Sequence, residues 1–289
     1  MKKYLIGSLS ANAATLGFHW IYNQSYLEEL SKKQSLIFQP QQKLHFDLSV
    51  QSYYAYPKSK IGDVTTQGMF MKWLYKELYS HKDFSKKDYA SLIYDHLRPG
   101  GDYEGYVETY GKKLLINQMN TDLKLGLPIV DLNDDHLVGF VPYLVCKELG
   151  LPNEKAWELA SLFTSKTEYQ DFYKVFDFIF DHLHDGPLTK ILEQSIEFAP
   201  NHFKVGLKMS LEMTDTKQFI KEYAGIACNI HMSLPLIFHM LAHANSFQEL
   251  IEWNAKIGGA SSDRGLILGA IMHQLSPVPP SWISQTNLE

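Results

Sequence analysis

Apolar residues recur at helical spacing along most of the chain. In "GMFMKWLYKELYS" (68–80), Met69, Trp73, Leu74 and Leu78 fall where they line one face of a helix. "DDHLVGFVPYLVCKELG" (134–150) repeats the pattern through Leu137, Phe140, Val141, Leu144 and Val145. Asp134 and Asp135 open that run, where the helix dipole favours negative charge, and Gly150 closes it, where helix ends favour glycine. "EKAWELASLF" (154–163) and "DFYKVFDFIFDHL" (171–183) predict two further helices. "SFQE" (246–249) is a capping box, with Ser246 to cap and Glu249 to reciprocate, and its helix should stop before Gly258-Gly259. Strand signals are few. "QSLIFQ" (34–39) and "QSYYAYP" (51–57) have β-character, but no hairpin turn joins them. The segment 31–63 reads as a long irregular loop, a length that points to function rather than mere connection. No repeat period and no Pro/Gly/Ser linker divides the sequence, so the pattern predicts a single all-α domain over 1–289.

Composition narrows the classes. Of 289 residues, 45% are hydrophobic and 20% charged, which suits a globular domain with a real core. The net charge of −5 and the lack of any Lys/Arg block exclude a nucleic-acid footprint. Cys146 and Cys228 are the only cysteines and form no CxxC pair, so neither a zinc site nor a disulfide scaffold is signalled, and a reducing, cytoplasmic location is expected. Lys2-Lys3 followed by "YLIGSLSANAATLG" loosely resembles a signal peptide, but Ser8, Ser10 and Asn12 interrupt the apolar stretch, and an amphipathic first helix is the better reading. No run reaches the ~18 apolar residues of a membrane span.

Several stretches carry candidate chemistry. His239 and His243 stand at i, i+4, a metal-ligand spacing, yet no Glu follows His239 and the surroundings are apolar, so packed histidines are expected. In "GDVTTQG" (62–68), Asp63, Thr65 and Thr66 precede a helix and suit capping, or a hydroxyl rim around a pocket. In "RPGGDYEGYVETYGKKLL" (98–115), a forced turn leads to Asp102, Tyr103 and Tyr106, an acid beside rings able to stack on a flat ligand. "GFHWIYN" gathers His19, Trp20 and Tyr22. In "GGASSDRGLILGA" (258–270), Ser261 or Ser262 can cap a helix with Asp263 in its first turn. The diglycine Gly258-Gly259 before free N–H groups is also a platform for an anion or a metal ligand.

Taken together, residues 4 to 273 resemble the ADP-ribosylglycohydrolase family. "GSLSANAATLGFHWIYN" looks like its opening G-x-x-x-G-D-A-L-G helix, continued in one branch as H-W-x-Y-D. "GDVTTQG" falls at the T-D-D-T motif or, in that branch, L-T-H-Y-G, "GGDYEGYVETYGKKLL" resembles the branch's Y-x-G-Y-I-D, and "ACNIHMSLPLIFHML" with "GGASSDRGLILGA" resembles the closing helices with G-G-D-T-D-T or G-G-D-x-x-S-R. The resemblance implies an orthogonal multi-helix bundle whose cleft holds two magnesium ions and which hydrolyses an ADP-ribosyl N- or O-glycosidic bond. It also implies a nucleotide sugar or ADP-ribosylated substrate as partner. The departures weigh as much. The opening Asp falls at Asn12, the first carboxylate pair near Thr66 and Gln67, and the last at Ala260 and Ser262. Asp263 lies one residue beyond, about 100° round a helix.

Three functions follow as expectations. A hydrolase would use Asp134, Asp135 or Asp263 as acids, and Thr65, Thr66, Ser262 and Asp263 as what remains of a magnesium site. A catalytically inactive binding protein would hold its ligand through His19, Trp20, Tyr22, Asp102, Tyr103, Tyr106, Gly258 and Gly259. A structural protein would have the cleft filled by its own side chains.

Overall fold

The computed structural model describes residues 3–288. Those residues form sixteen α-helices and three short 3-10 turns, with two isolated β-bridges and no strand. The protein is all-α, and none of these helices is long and apolar enough to cross a membrane.

At the centre lies helix Leu5–Thr15, buried along nearly its whole circumference. Its small and polar residues make that position tenable. Ser8, Ser10, Asn12 and Thr15 are fully buried, and Ser8 and Thr15 return their hydroxyls to the carbonyls of Tyr4 and Ala11. The interruptions that argued against a signal peptide are therefore the polar contacts of a core helix. Against it packs the equally buried helix Ser261–Leu275. Gly7 and Gly269 set the spacing, because a Cβ on either would overlap the other's backbone carbonyl.

The outer helices obey local rules. Thr65, Ser85, Asp215, Asn229 and Ser246 each cap a helix by accepting a backbone N–H, and Gly150 ends helix Val141–Leu149 in the left-handed conformation. Three details depart from expectation. Ser246 caps helix Phe247–Ile257, but Glu249 reaches back to the Asn245 N–H rather than to Ser246. The pattern at 134–150 divides into a loop, a 3-10 turn Leu137–Phe140 and helix Val141–Leu149, since Pro142 suits a first turn and not an interior. The 31–63 segment holds a helix, Lys43–Ser49, and is pinned by buried Gln41, whose amide spans Leu16 O, His19 O and Tyr56 N. His239 and His243 are packed, both within reach of Ser210 O, as their apolar setting predicted.

Candidate functional site

Three helix ends converge on one polar knot. Asn12 lies inside the first helix, Thr65 caps helix Thr66–Ser80, and Ser262 and Asp263 open helix Ser261–Leu275. The Asn12 amide donates to Thr65 Oγ1 and to Ser262 O, each at 2.9 Å, and its Oδ1 accepts the Thr65 N–H at 2.8 Å. Thr65 Oγ1 donates in turn to Asp263 Oδ1 at 3.0 Å. Thr15 Oγ1 and Ser262 Oγ meet at 3.2 Å. All five residues are fully buried.

The other oxygen of Asp263 faces His19. Oδ2 and Nε2 are 3.7 Å apart, and neither has a hydrogen-bond partner among the described residues. Burial pushes the Asp263 carboxyl up to about 7. Burial, helped by the Arg264 charge, holds His19 down at about 3. His19 is therefore neutral at pH 7, and Nδ1, the acceptor of the Ser262 N–H, leaves the proton on Nε2 facing Asp263.

A second buried carboxyl shares this region. Glu108, just before helix Thr109–Asp122, is 4% exposed, and its Oε1 has no hydrogen-bond partner among the described residues. Burial first, and the charge of Asp263 second, push its carboxyl well above the ordinary range. The Asp263 charge thus reaches Glu108, which places the two acids in one electrostatic neighbourhood.

Aromatic side chains separate this knot from an open cleft. Thr66 Oγ1 meets the phenols of Tyr56 (3.2 Å) and Tyr103 (3.0 Å) and donates to Tyr106 O. Trp20 stacks on His19, with ring centroids 4.7 Å apart, and stands edge-on to Tyr106. It does so at φ 68°, a left-handed backbone that a bulky residue adopts only where its surroundings enforce it. Tyr56, Tyr103 and Tyr106 also line a cleft of about 750 Å³ with Lys58, Lys60 and Lys72 among its other walls. That size accommodates a nucleotide-sized ligand.

Most residues singled out from the sequence meet here. His19, Thr65, Thr66, Ser262 and Asp263 join the knot, and Trp20, Tyr103 and Tyr106 form its aromatic cover. Tyr22 lies behind Trp20, edge-on to Tyr53, with its phenol pushed up first by burial. Asp102 stands apart, an exposed carboxylate 2.5 Å from His96 Nδ1. Asp134 and Asp135 sit in the loop before the 3-10 turn. Asp134 accepts the His136 N–H at 2.9 Å, and Asp135 lies 3.6 Å from Lys166 Nζ. Ala260, not Ser261 or Ser262, takes the N-cap position of the closing helix, with no side-chain cap.

The diglycine turn is spent on folding. Gly258 and Gly259 both have positive φ (75° and 61°), which suits glycine. The Gly258 N–H goes to Asn254 O, Gly259 to Ile21 O, Ala260 to Ile226 O, and Ser262 to His19 Nδ1. Arg264, wholly buried, bonds Asn254 Oδ1, Ile226 O and Gly258 O and does not pair with Asp263.

This donor set does not fit a pair of magnesium ions. Magnesium asks for oxygen ligands in near-octahedral geometry and one or two carboxylates for each ion. Here the Asn12 NH2 points its hydrogens at Thr65 Oγ1 and Ser262 O, where a cation would need lone pairs, and Thr65 aims its own proton at Asp263.

Sequence reasoning passed over Glu108 and Tyr56. Glu108 had a signal, because it occupies the acidic position of the stretch that resembles Y-x-G-Y-I-D. Tyr56, inside the irregular 31–63 segment, had none.

No protein-family model matches the sequence, and no curated protein does. Among solved structures, an ADP-ribosylglycohydrolase-related protein complex superposes with a TM-score of 0.63, covering 98% of this chain and 92% of that chain at 13% identity. The likeness is one of fold: the helical architecture is that of an ADP-ribosylglycohydrolase-related protein.

Proposed function

We propose that this protein binds an ADP-ribosyl-type nucleotide sugar in the tyrosine-lined cleft and does not cleave it through a dinuclear magnesium centre. The observation that carries this reading is the Asn12 amide, which ties Thr65 to Ser262 and fills with hydrogen-bond donors the place where metal ligands would converge. The cleft offers what such a ligand needs. Tyr56, Tyr103 and Tyr106 give ring faces and edges for a base or sugar, and Lys58, Lys60 and Lys72 give positive charge for a diphosphate. Asp63 and Glu104 on the same rim suit ribose hydroxyls.

Calorimetry with ADP-ribose in the presence of a chelator tests this directly. Saturable heat with no product on subsequent chromatography supports binding without turnover. Absence of heat with every nucleotide sugar tried removes the proposal. A hydrolytic reading is favoured by one observation, the buried pair Asp263 and Glu108, because an acid held protonated near neutral pH is what a glycosidic leaving group needs. Release of free ADP-ribose that is abolished by both Glu108→Gln and Asp263→Asn would establish that reading instead.

A further inference from the structure

One wall of the tyrosine-lined cleft is made by the segment that follows helix Pro280–Gln285. Trp282 anchors that helix, buried and edge-on to Phe38 and Phe247 with ring centroids 5.5 and 5.9 Å away. Thr286 comes next, buried and extended, its hydroxyl donating to Trp282 O at 2.8 Å. Beyond it the chain runs beside the turn that carries Lys60 and Asp63. The Asn287 N–H donates to Gly62 O at 2.9 Å, and Asn287 lines the cleft with Lys58, Lys60, Asp63 and Lys72. Gly62 is shaped for this approach: its φ is 94°, and a Cβ there would overlap Gln285 O.

The same residue reaches a cation of the cleft. Lys72, on helix Thr66–Ser80, is 9% exposed, and its Nζ donates to Asn287 O at 3.2 Å. A peptide carbonyl offers this ammonium a dipole, whereas a phosphate offers it a full negative charge. We infer that the 285–288 segment is an autoinhibitory strap: it engages Lys72 through Asn287 O, and a diphosphate entering the cleft takes Lys72 from it and frees the strap. This rests on the reading that the cleft accepts a phosphate-bearing ligand. Two features suit a strap rather than a fixed wall. Both bonds are made by the backbone of Asn287, whose side chain is exposed, so losing Lys72 leaves the N–H to Gly62 O. The buried Trp282 and Thr286 keep the freed segment beside the cleft. The apparent affinity for the ligand is then the intrinsic affinity reduced by the fraction of molecules whose strap is open.

The test is calorimetry of the full-length protein with inorganic pyrophosphate and with ADP-ribose. Asn287→Pro removes the N–H that reaches Gly62, and the extended Thr286 (φ −83°, ψ 128°) already has the backbone that a following proline requires. It should tighten binding of both ligands by about three- to tenfold. Lys72→Gln should weaken binding, and the double variant should bind no better than Lys72→Gln alone, because the strap acts through that lysine. Hydrogen exchange in peptides spanning 285–288 of the native protein should quicken when pyrophosphate binds. An affinity unchanged by Asn287→Pro overturns the strap. So does a gain that persists in the Lys72→Gln background, exchange at 285–288 that pyrophosphate leaves unchanged or slows, or binding of neither ligand by the native and Asn287→Pro proteins. Pyrophosphate binding tightened by Asn287→Pro without any binding of ADP-ribose keeps the strap and removes the nucleotide-sugar reading. ADP-ribose binding that is equal in the two proteins removes the strap and keeps that reading.

Discussion

Replacing Asp263 with Asn isolates the energetics of the buried carboxyl. The amide is isosteric, its Oδ1 can still accept from Thr65, and its NH2 faces the 3.7 Å gap to His19. In the native protein the carboxyl is raised from 3.8 to about 7, chiefly by burial. The folded state therefore holds its proton more tightly than the unfolded chain does. The stability this gives is complete below pH 4 and is lost as pH rises towards 7 and beyond. At 1.36 kcal/mol per pH unit, a shift of roughly three units amounts to about 4 kcal/mol above pH 7, and to between one and two kcal/mol at pH 5. The Asn variant has no such loss. Its stability relative to the native protein should thus improve by about 2–3 kcal/mol between pH 5 and pH 8. His19, lowered to about 3, contributes an opposite trend between pH 3 and 6.5, but burial and the Arg264 charge, not Asp263, set that shift, so it is nearly the same in both proteins and drops out of the difference. Urea unfolding of both proteins at the two pH values measures it. A stability difference that is the same at both, or that moves against the variant as pH rises, refutes a carboxyl held protonated by its surroundings.

Asn12→Ala removes three buried hydrogen bonds and leaves Thr65 and Ser262 without their bridge, so a loss of about 3 kcal/mol is expected in urea unfolding, and a loss under 1 kcal/mol would mean the bridge is dispensable. Gly269→Ala drives a methyl into the Gly7 carbonyl and should lower stability by about 2–3 kcal/mol, seen as a lower Tm, whereas an unchanged Tm would show that the two central helices are not in close contact. Lys60→Gln takes one cation from the cleft and should weaken ADP-ribose binding by about three- to tenfold at low salt, with a smaller effect at high salt, and equal affinity at both would place the diphosphate elsewhere.

The helices were legible because their signals are local: apolar spacing at 68–80, the Ser246 cap and the stop at Gly258 each depend on neighbours in sequence. The 31–63 segment was only partly legible. Its course is set by the Gln41 amide gripping Leu16, His19 and Tyr56, a contact that no local pattern announces. The knot was half visible. The resemblance directed attention to Thr65, Ser262 and Asp263, and marked Asn12 as a lost acid. Only the structure shows that this amide bridges Thr65 and Ser262, and that Glu108 brings a second carboxyl to the region. The backbone pairing of the 134–137 loop with the 228–230 segment had no sequence signature, since it joins two stretches distant in the chain.

The central claim is that a side-chain amide, not a pair of cations, joins the 62–68 and 258–264 turns. A crystal structure grown with magnesium and ADP-ribose at modest concentration tests it most directly. The expected result is the nucleotide against Tyr56, Tyr103 and Tyr106, with the Asn12 bridge intact and no metal between Thr65 and Asp263. Two ordered magnesium ions between those turns, ligated by Asp263 and the ribose hydroxyls, would contradict it.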